Sequence, residues 1–283
     1  EKFALAAEHL ESSLTTSLLK SEVQEIHHLL GYCYEQLEKW EQATKHFQMA
    51  TSPRYILADY AIYHLARAYQ MSGDYANAII WYQRLIGRHP QSFHLSDAKY
   101  GIARGYLQQQ DYANALECFS QLASNKKSGY VRKATYGQAQ AYEGFEKWKE
   151  ALRAYQRLID VDTSDQVARN ALEQIQRLAK AHPNFKVTRN QHMAYGMVLY
   201  DEGKFTDAIS EFQLVSAGKK DKLTGQGTYY TGRAYHRRRK YDLAIREYNK
   251  VFTLYPASGY LTRSLYQTTI CYRRKGQPAV AQK

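Results

Sequence analysis

Proline is scarce in this sequence, with 5 in 283 residues, and glycine is modest at 16. So few breakers argue against a turn-rich β protein and against a disordered chain. Cysteine is scarcer still. Cys33, Cys118 and Cys271 lie far apart with no CxxC spacing, so no disulfide framework and no zinc site is written here. They read as three small core residues, and free thiols lean slightly towards a reducing compartment. No stretch approaches the roughly 18 uninterrupted apolar residues of a membrane span. The chain starts at Glu1 rather than Met, without a charged-then-apolar signal segment, and is expected to be a piece of a longer protein. Catalytic signatures are missing too: there is no HExxH, no GxSxG and no P-loop. Gly225 and Gly227 form a GxG without a third glycine or a preceding strand, which predicts a helix-entry turn. His27 and His28 are neighbours on one helix and point apart, so no metal site is expected. Asp160 and Asp162 read as solvent-facing carboxylates at a helix end. No cofactor is expected.

What the chain does have is tyrosine, 26 against 9 phenylalanines, and a repeat. Seven segments carry a helix ending in a small residue and an aromatic, a turn, then a helix with Ala and an aromatic four residues on. The first reads Gly31, Tyr34, Trp40, Ala43, Phe47. The others are Ala66, Tyr69, Tyr75, Ala78, Tyr82; Ala103, Tyr106, Tyr112, Ala115, Phe119; Ala139, Tyr142, Trp148, Ala151, Tyr155; Gly196, Leu199, Phe205, Ala208, Phe212; Gly232, Tyr235, Tyr241, Ala244, Tyr248; and Tyr272, Gly276, Ala281. Steps between the second-helix alanines are 35, 37, 36, 57, 36 and 37 residues. Small residues let paired helices cross closely, and the aromatics fill the space between pairs. One pair cannot bury its apolar face alone, so the pairs must stack.

This pattern resembles the tetratricopeptide-repeat family over nearly the whole chain. The resemblance implies an all-α, right-handed superhelical solenoid of antiparallel helix pairs, with about 16 helices. Residues 1–283 form one solenoid: a partial repeat at 1–16, repeats near 24–57, 59–92, 96–129, 132–163, 189–220 and 225–258, and a partial one at 262–283. Phe3, Ala6 and Leu10 carry second-helix spacing, so the array is expected to begin on a lone second helix and end inside another. The 57-residue step predicts an extra helix near 164–181, capped by Ser164 and Asp165. Its apolar stripe is Val167, Ala171, Leu172, Ile175, Leu178 and Ala179, and it is expected to bend or interrupt the superhelix.

In this family the first helix of each pair lines the concave face. On that frame Tyr63, Tyr100, Tyr136, Tyr229 and Tyr266 share one position. Arg67, Arg104, Gln140, Arg233 and Ile270 follow one turn later. Such a lane could grip carboxylates, sugars or an extended peptide through stacking and bidentate hydrogen bonds. The alternative is that the tyrosines pack between helices while the arginines stay solvated. Met193 and Met197 break the lane. The carboxylate clamp of chaperone-binding members is missing, since the matching positions hold His28, Tyr32, His64, Asp97 and Gly101. Charge is lopsided. Residues 1–140 carry 14 Lys+Arg against 13 Asp+Glu, and residues 141–283 carry 25 against 14. Basic clusters at Arg237, Arg238, Arg239, Lys240, at Arg273, Arg274, Lys275 and at Lys219-Lys220 predict an acidic partner. Complementing helix C-termini is the alternative.

The pairs Gly232-Arg233-Ala234-Tyr235 with Arg239-Lys240-Tyr241-Asp242-Leu243-Ala244, and the junction Tyr255-Pro256-Ala257-Ser258, resemble the N-terminal superhelical region of bacterial soluble lytic transglycosylases. That implies a periplasmic, non-catalytic scaffold from a peptidoglycan-processing enzyme, with peptidoglycan or a protein as partner. The family's catalytic Glu-Ser signature is not found, and the isolated Glu11-Ser12 does not qualify. The rival expectation is a general protein–protein adaptor, periplasmic or cytoplasmic, holding a peptide or helix in its groove. A nucleic-acid repeat protein, suggested by charge alone, is disfavoured because it would read bases at fixed positions that this repeat does not offer.

Overall fold

The computed structural model describes residues 2–14, 19–216 and 220–277. Lys219 and Ala281 lie outside them. Among the described residues there are fifteen α-helices and no strand. They are α1 (Lys2–Ser13), α2 (Lys20–Gln36), α3 (Trp40–Met49), α4 (Ala58–Met71), α5 (Tyr75–Arg88), α6 (Leu95–Gln108), α7 (Tyr112–Ser124), α8 (Val131–Gly144), α9 (Trp148–Val161), α10 (Gln166–Ala181), α11 (Arg189–Glu202), α12 (Phe205–Ser216), α13 (Lys222–Arg237), α14 (Tyr241–Leu254) and α15 (Leu261–Arg274). Short 3-10 turns at Lys126–Ser128 and Pro256–Ser258 join repeats. The expected sixteenth helix, around Ala281, falls on residues that are not described. The chain divides into two compact units, Glu1–Ala151 and Leu152–Lys283.

In unit 1 the helices pack in chain order as hairpins: α2 on α3, α4 on α5, α6 on α7. Each second helix also packs on the next first helix. The aromatic of the second helix is buried every time: Phe47, Tyr82 and Phe119 here, Phe212 and Tyr248 in unit 2. A ring this large needs a hole. Added Cβ atoms at Gly31, Gly196 and Gly232 would meet Phe47, Phe212 and Tyr248 of their own repeats at 2.6, 2.4 and 2.6 Å. Where that first-helix position is alanine, the hole lies in the next repeat. A Cβ at Gly101 would meet Tyr82 at 2.3 Å, and one at Gly137 would meet Phe119 at 2.4 Å. A glycine stands beside each of these five rings, on one side or the other.

The hairpin turns follow one rule as well. Seven residues after the small first-helix position, φ is positive: Glu38, Gly73, Gln110, Glu146, Gly203, Arg239 and Gly276 have φ between 56° and 87°. Only glycine enters that region without a steric penalty. Asp74 and Asp111 then cap the second helices by accepting from the backbone N–H of Asn77 and Asn114 at 3.1 and 3.2 Å.

Unit 2 holds the expected extra helix as α10. Asp165 caps it, accepting from Ala168 N–H at 2.8 Å, while Ser164 donates instead to Asp162. Its buried stripe is Ala168, Ala171, Leu172, Ile175 and Leu178. Val167 and Ala179 are half-buried, so the stripe is rotated slightly from the expected one. Tyr195 on α11 donates to Gln156 on α9 at 2.8 Å. The two helices thus meet even though α10 lies between them in sequence. Gly225 and Gly227 are not a helix-entry turn. Both lie inside α13, where a Cβ at Gly225 would sit 2.3 Å from Ser258 Cβ and one at Gly227 3.0 Å from Val215. They are close-approach glycines. Cys33 and Cys271 are buried and Cys118 is half-buried, all as free thiols.

Candidate binding faces

In unit 1 the tyrosine position of the first helices leads to stacked pairs. Tyr63 lies parallel on His94, ring centroids 4.1 Å apart at 6°. Tyr100 leans on Tyr130 at 4.8 Å. His28, at the same position one repeat earlier, meets Tyr55 through a 3.0 Å contact between Nδ1 and the hydroxyl. His94 and Tyr130 share one register, nine residues before the small position, as does Tyr260 in unit 2. Tyr130 donates to the Asp97 carboxylate, and burial together with that carboxylate pushes the Tyr130 phenol well above its usual range. Burial also raises the Tyr63 phenol. Tyr136 and Gln140 on α8 are half-buried.

One turn further along, the arginines divide. Arg67 NH1 lies 3.2 Å from Glu35 Oε1, while His64 Nδ1 takes Glu35 Oε2 at 2.7 Å. Glu35 is 3% exposed. Its Oε1 has no aligned hydrogen bond, so the Arg67 contact is ionic rather than directional. Arg104 is half-buried, and its Nε is buried without a hydrogen-bond partner. A buried N–H left unmade costs about 1–3 kcal/mol, more when charged. His94 Nε2, in the ring stacked on Tyr63, is likewise buried without a hydrogen-bond partner.

In unit 2 the same positions are more closed. Tyr229 is 3% exposed and packs against Tyr260 and Tyr248, with centroids at 4.8 and 5.9 Å. Arg233 donates to the Tyr229 hydroxyl at 3.3 Å and lies 6.0 Å over Tyr200. Tyr266, by contrast, is 65% exposed. Met193 is buried. The basic residues separate in space. Arg237, Arg239 and Arg274 line one cleft with Phe205, His236 and Tyr241. Lys275 pairs with Asp242. Arg238, Lys240 and Arg273 are exposed.

The model of the YfiO family, described as an outer membrane lipoprotein, matches residues 56–198, just over half of the chain. A tetratricopeptide-repeat model matches residues 196–258. The chain belongs to the YfiO family. Its repeats are tetratricopeptide repeats, as the residue pattern implied. The C-terminal part of a tetratricopeptide-repeat protein from Cytophaga hutchinsonii has a similar structure, with TM-score 0.55 and 15% identity over 93% of this chain and 95% of that one. This likeness shows the fold. Further similar structures are a tetratricopeptide-repeat protein from Parabacteroides merdae (TM-score 0.46, 14% identity, 87% and 99% coverage) and MamA from Desulfovibrio magneticus RS-1 (0.45, 16%, 70% and 95%). No curated protein matches the chain.

The YfiO match spans Tyr63, Arg67, Tyr100, Arg104, Tyr136 and Gln140, and the repeat match spans Arg233 and Arg237 through Lys240. Neither matching family is the soluble lytic transglycosylases. Among the described residues no helix is long and apolar enough to cross a membrane, and no group of three potential metal ligands converges. Sequence reasoning missed the stacking partners His94, Tyr130 and Tyr260. The signal was there, because they recur on the same beat as the tyrosines they meet. It also missed Glu35, whose importance comes from burial and not from its position in the repeat.

Proposed function

We propose that the chain is a non-catalytic scaffold of the bacterial envelope that holds an extended peptide of a partner protein on the first-helix face of unit 1. The observation that carries this is the repeated pairing on that face, Tyr63 stacked on His94 and Tyr100 on Tyr130, with the half-exposed Arg67 guanidinium one turn along. A peptide carboxylate laid across α4, α6 and α8 would be taken by the half-exposed Arg67 guanidinium, with half-buried Arg104 at the same position one repeat on. The stacked tyrosines then act as a rigid floor that holds the arginines in place. The envelope assignment rests on the family description, and we propose the periplasmic side of that envelope.

Selection of displayed random peptides on the wild-type chain and on the Arg67→Ala/Arg104→Ala variant tests the reading. Peptides enriched on the wild type and lost on the folded variant are expected. Equal enrichment on both would remove the lane from the function. Cell fractionation tests location, and recovery in the cytosol would leave the adaptor and remove the envelope.

Peptidoglycan is the second reading, the one implied by the likeness to soluble lytic transglycosylases. The exposed rings of Tyr32 and Tyr60 on first helices favour it, because tyrosine faces suit sugars. Purified sacculi should then retain the chain at low salt. Failure to retain it there discards this reading and leaves the peptide one.

A further inference from the structure

The cleft of unit 2 is built twice by the repeat. Arg237 and Arg274 hold the same register at the ends of α13 and α15, and Phe205 and Tyr241 hold the same register at the starts of α12 and α14. Arg239 joins them from the turn after α13, at φ 58°. Among the described residues no carboxylate lies within ion-pair distance of Arg237, Arg239 or Arg274. The nearby acid Asp242 is engaged by Lys275, and Glu202 by Lys204. Three guanidiniums therefore converge without a counter-charge. The lining of this cleft, Phe205, His236, Arg237, Arg239, Tyr241 and Arg274, contains no acid at all.

The aromatics orient these cations. The Arg237 guanidinium sits 5.5 Å over the Phe205 ring. A guanidinium lying over a ring keeps its in-plane N–H groups free, and those are the groups that take both oxygens of a carboxylate. His236 meets the Tyr241 ring edge-on at 5.6 Å and contacts Gln267 through Nδ1 at 3.2 Å. Both rings are thus already partly covered. A single-stranded nucleic acid binds by stacking its bases on free aromatic faces, and this cleft offers few. Burial, opposed by the Gln267 contact and aided by Arg233, Arg274 and Arg237, holds the His236 pKa below the ordinary range.

We infer that this cleft binds an acidic segment of a partner protein, its carboxylates held by Arg237, Arg239 and Arg274. The site is built from residues of unit 2 alone, and the inference stands whether or not the face of unit 1 binds a peptide.

Fluorescence anisotropy with the full chain tests it. The probes are a labelled glutamate-rich peptide, its glutamine counterpart and a single-stranded oligonucleotide of equal charge. The glutamate peptide should bind best. Arg237→Ala/Arg274→Ala should weaken it about tenfold or more, while Arg246→Ala, an exposed cation outside the cleft, should leave it nearly unchanged. Arg237→Lys/Arg274→Lys keeps the charge and loses the fork, so it should fall between. Circular dichroism checks that each variant is folded. Equal loss from Arg246→Ala, full affinity in the lysine variant, or tighter binding of the oligonucleotide would each overturn the assignment.

Discussion

Single residues set the tolerances of this repeat. Tyr82 and Phe119 are buried rings that lie where a Cβ on Gly101 or Gly137 would be, at 2.3 and 2.4 Å. Gly101→Ala and Gly137→Ala must push a packed ring aside, and each should cost about 1–3 kcal/mol by urea unfolding. The turn positions give the opposite sign. Gln110 and Glu146 are exposed and hold φ of 61° and 57°, so Gln110→Gly should stabilise by about 0.5–1 kcal/mol, read as a higher urea midpoint. Histidine adds a pH dependence. His27 and His46 face each other through their Nδ1 atoms at 3.0 Å, which requires at least one neutral ring. Burial, the largest cause each time, lowers the pKa of His27, His28 and His46 below 6.5. Above pH 6.5 both folded and unfolded chains carry these rings neutral, and stability is full. As pH falls below that, the unfolded chain takes up protons first and stability drops until the lower folded values are passed. Thermal midpoints should therefore decline between about pH 7 and 5, and His46→Gln should flatten the decline.

Helices are the scale at which the sequence was most legible. Periodicity and an acidic cap placed α10 to within two residues at its start, because an amphipathic stripe and an N-cap are local properties. Gly225 and Gly227 show the limit. Sequence offers glycine as a turn or as a close approach, and only the arrival of Ser258 and Val215 against α13 chooses between them. Arg189, at the start of α11, went unnoticed for the same reason. It holds three elements at once: Nε donates to Val215 O at 2.8 Å, the two terminal nitrogens take Asp221 at 2.7 and 3.0 Å, and one of them also reaches Thr224 Oγ1 at 2.7 Å. Those contacts, with the Thr224 backbone N–H, drive the Asp221 carboxyl well below the usual range. Arg189→Lys keeps the charge but cannot reproduce a planar fork. Hydrogen exchange at the first turns of α11 and α13 should become faster, while α14 stays protected.

At the scale of the molecule, stacked hairpins contact only their neighbours, so unfolding need not be a single event. Trp40, Trp81 and Trp148 all fall in unit 1. Tryptophan fluorescence therefore reports unit 1, while far-UV circular dichroism reports both units. The two urea transitions should fail to superimpose, and because His27, His28 and His46 also lie in unit 1, acid should shift the fluorescence midpoint further. Coincident curves across that pH range would establish one cooperative body. By itself the sequence determined the helices, their pairing and the beat of small and aromatic residues, since each follows from local propensity and from apolar faces that must be covered. It also marked the positions of the tyrosines and arginines. Only the tertiary structure decided which of them are walls and which are hands. Burial, stacking partners and missing counter-charges come from residues about 30 or more positions apart, such as Tyr63 with His94 or Phe205 with Arg237, and no periodicity records whether such a neighbour arrives already satisfied.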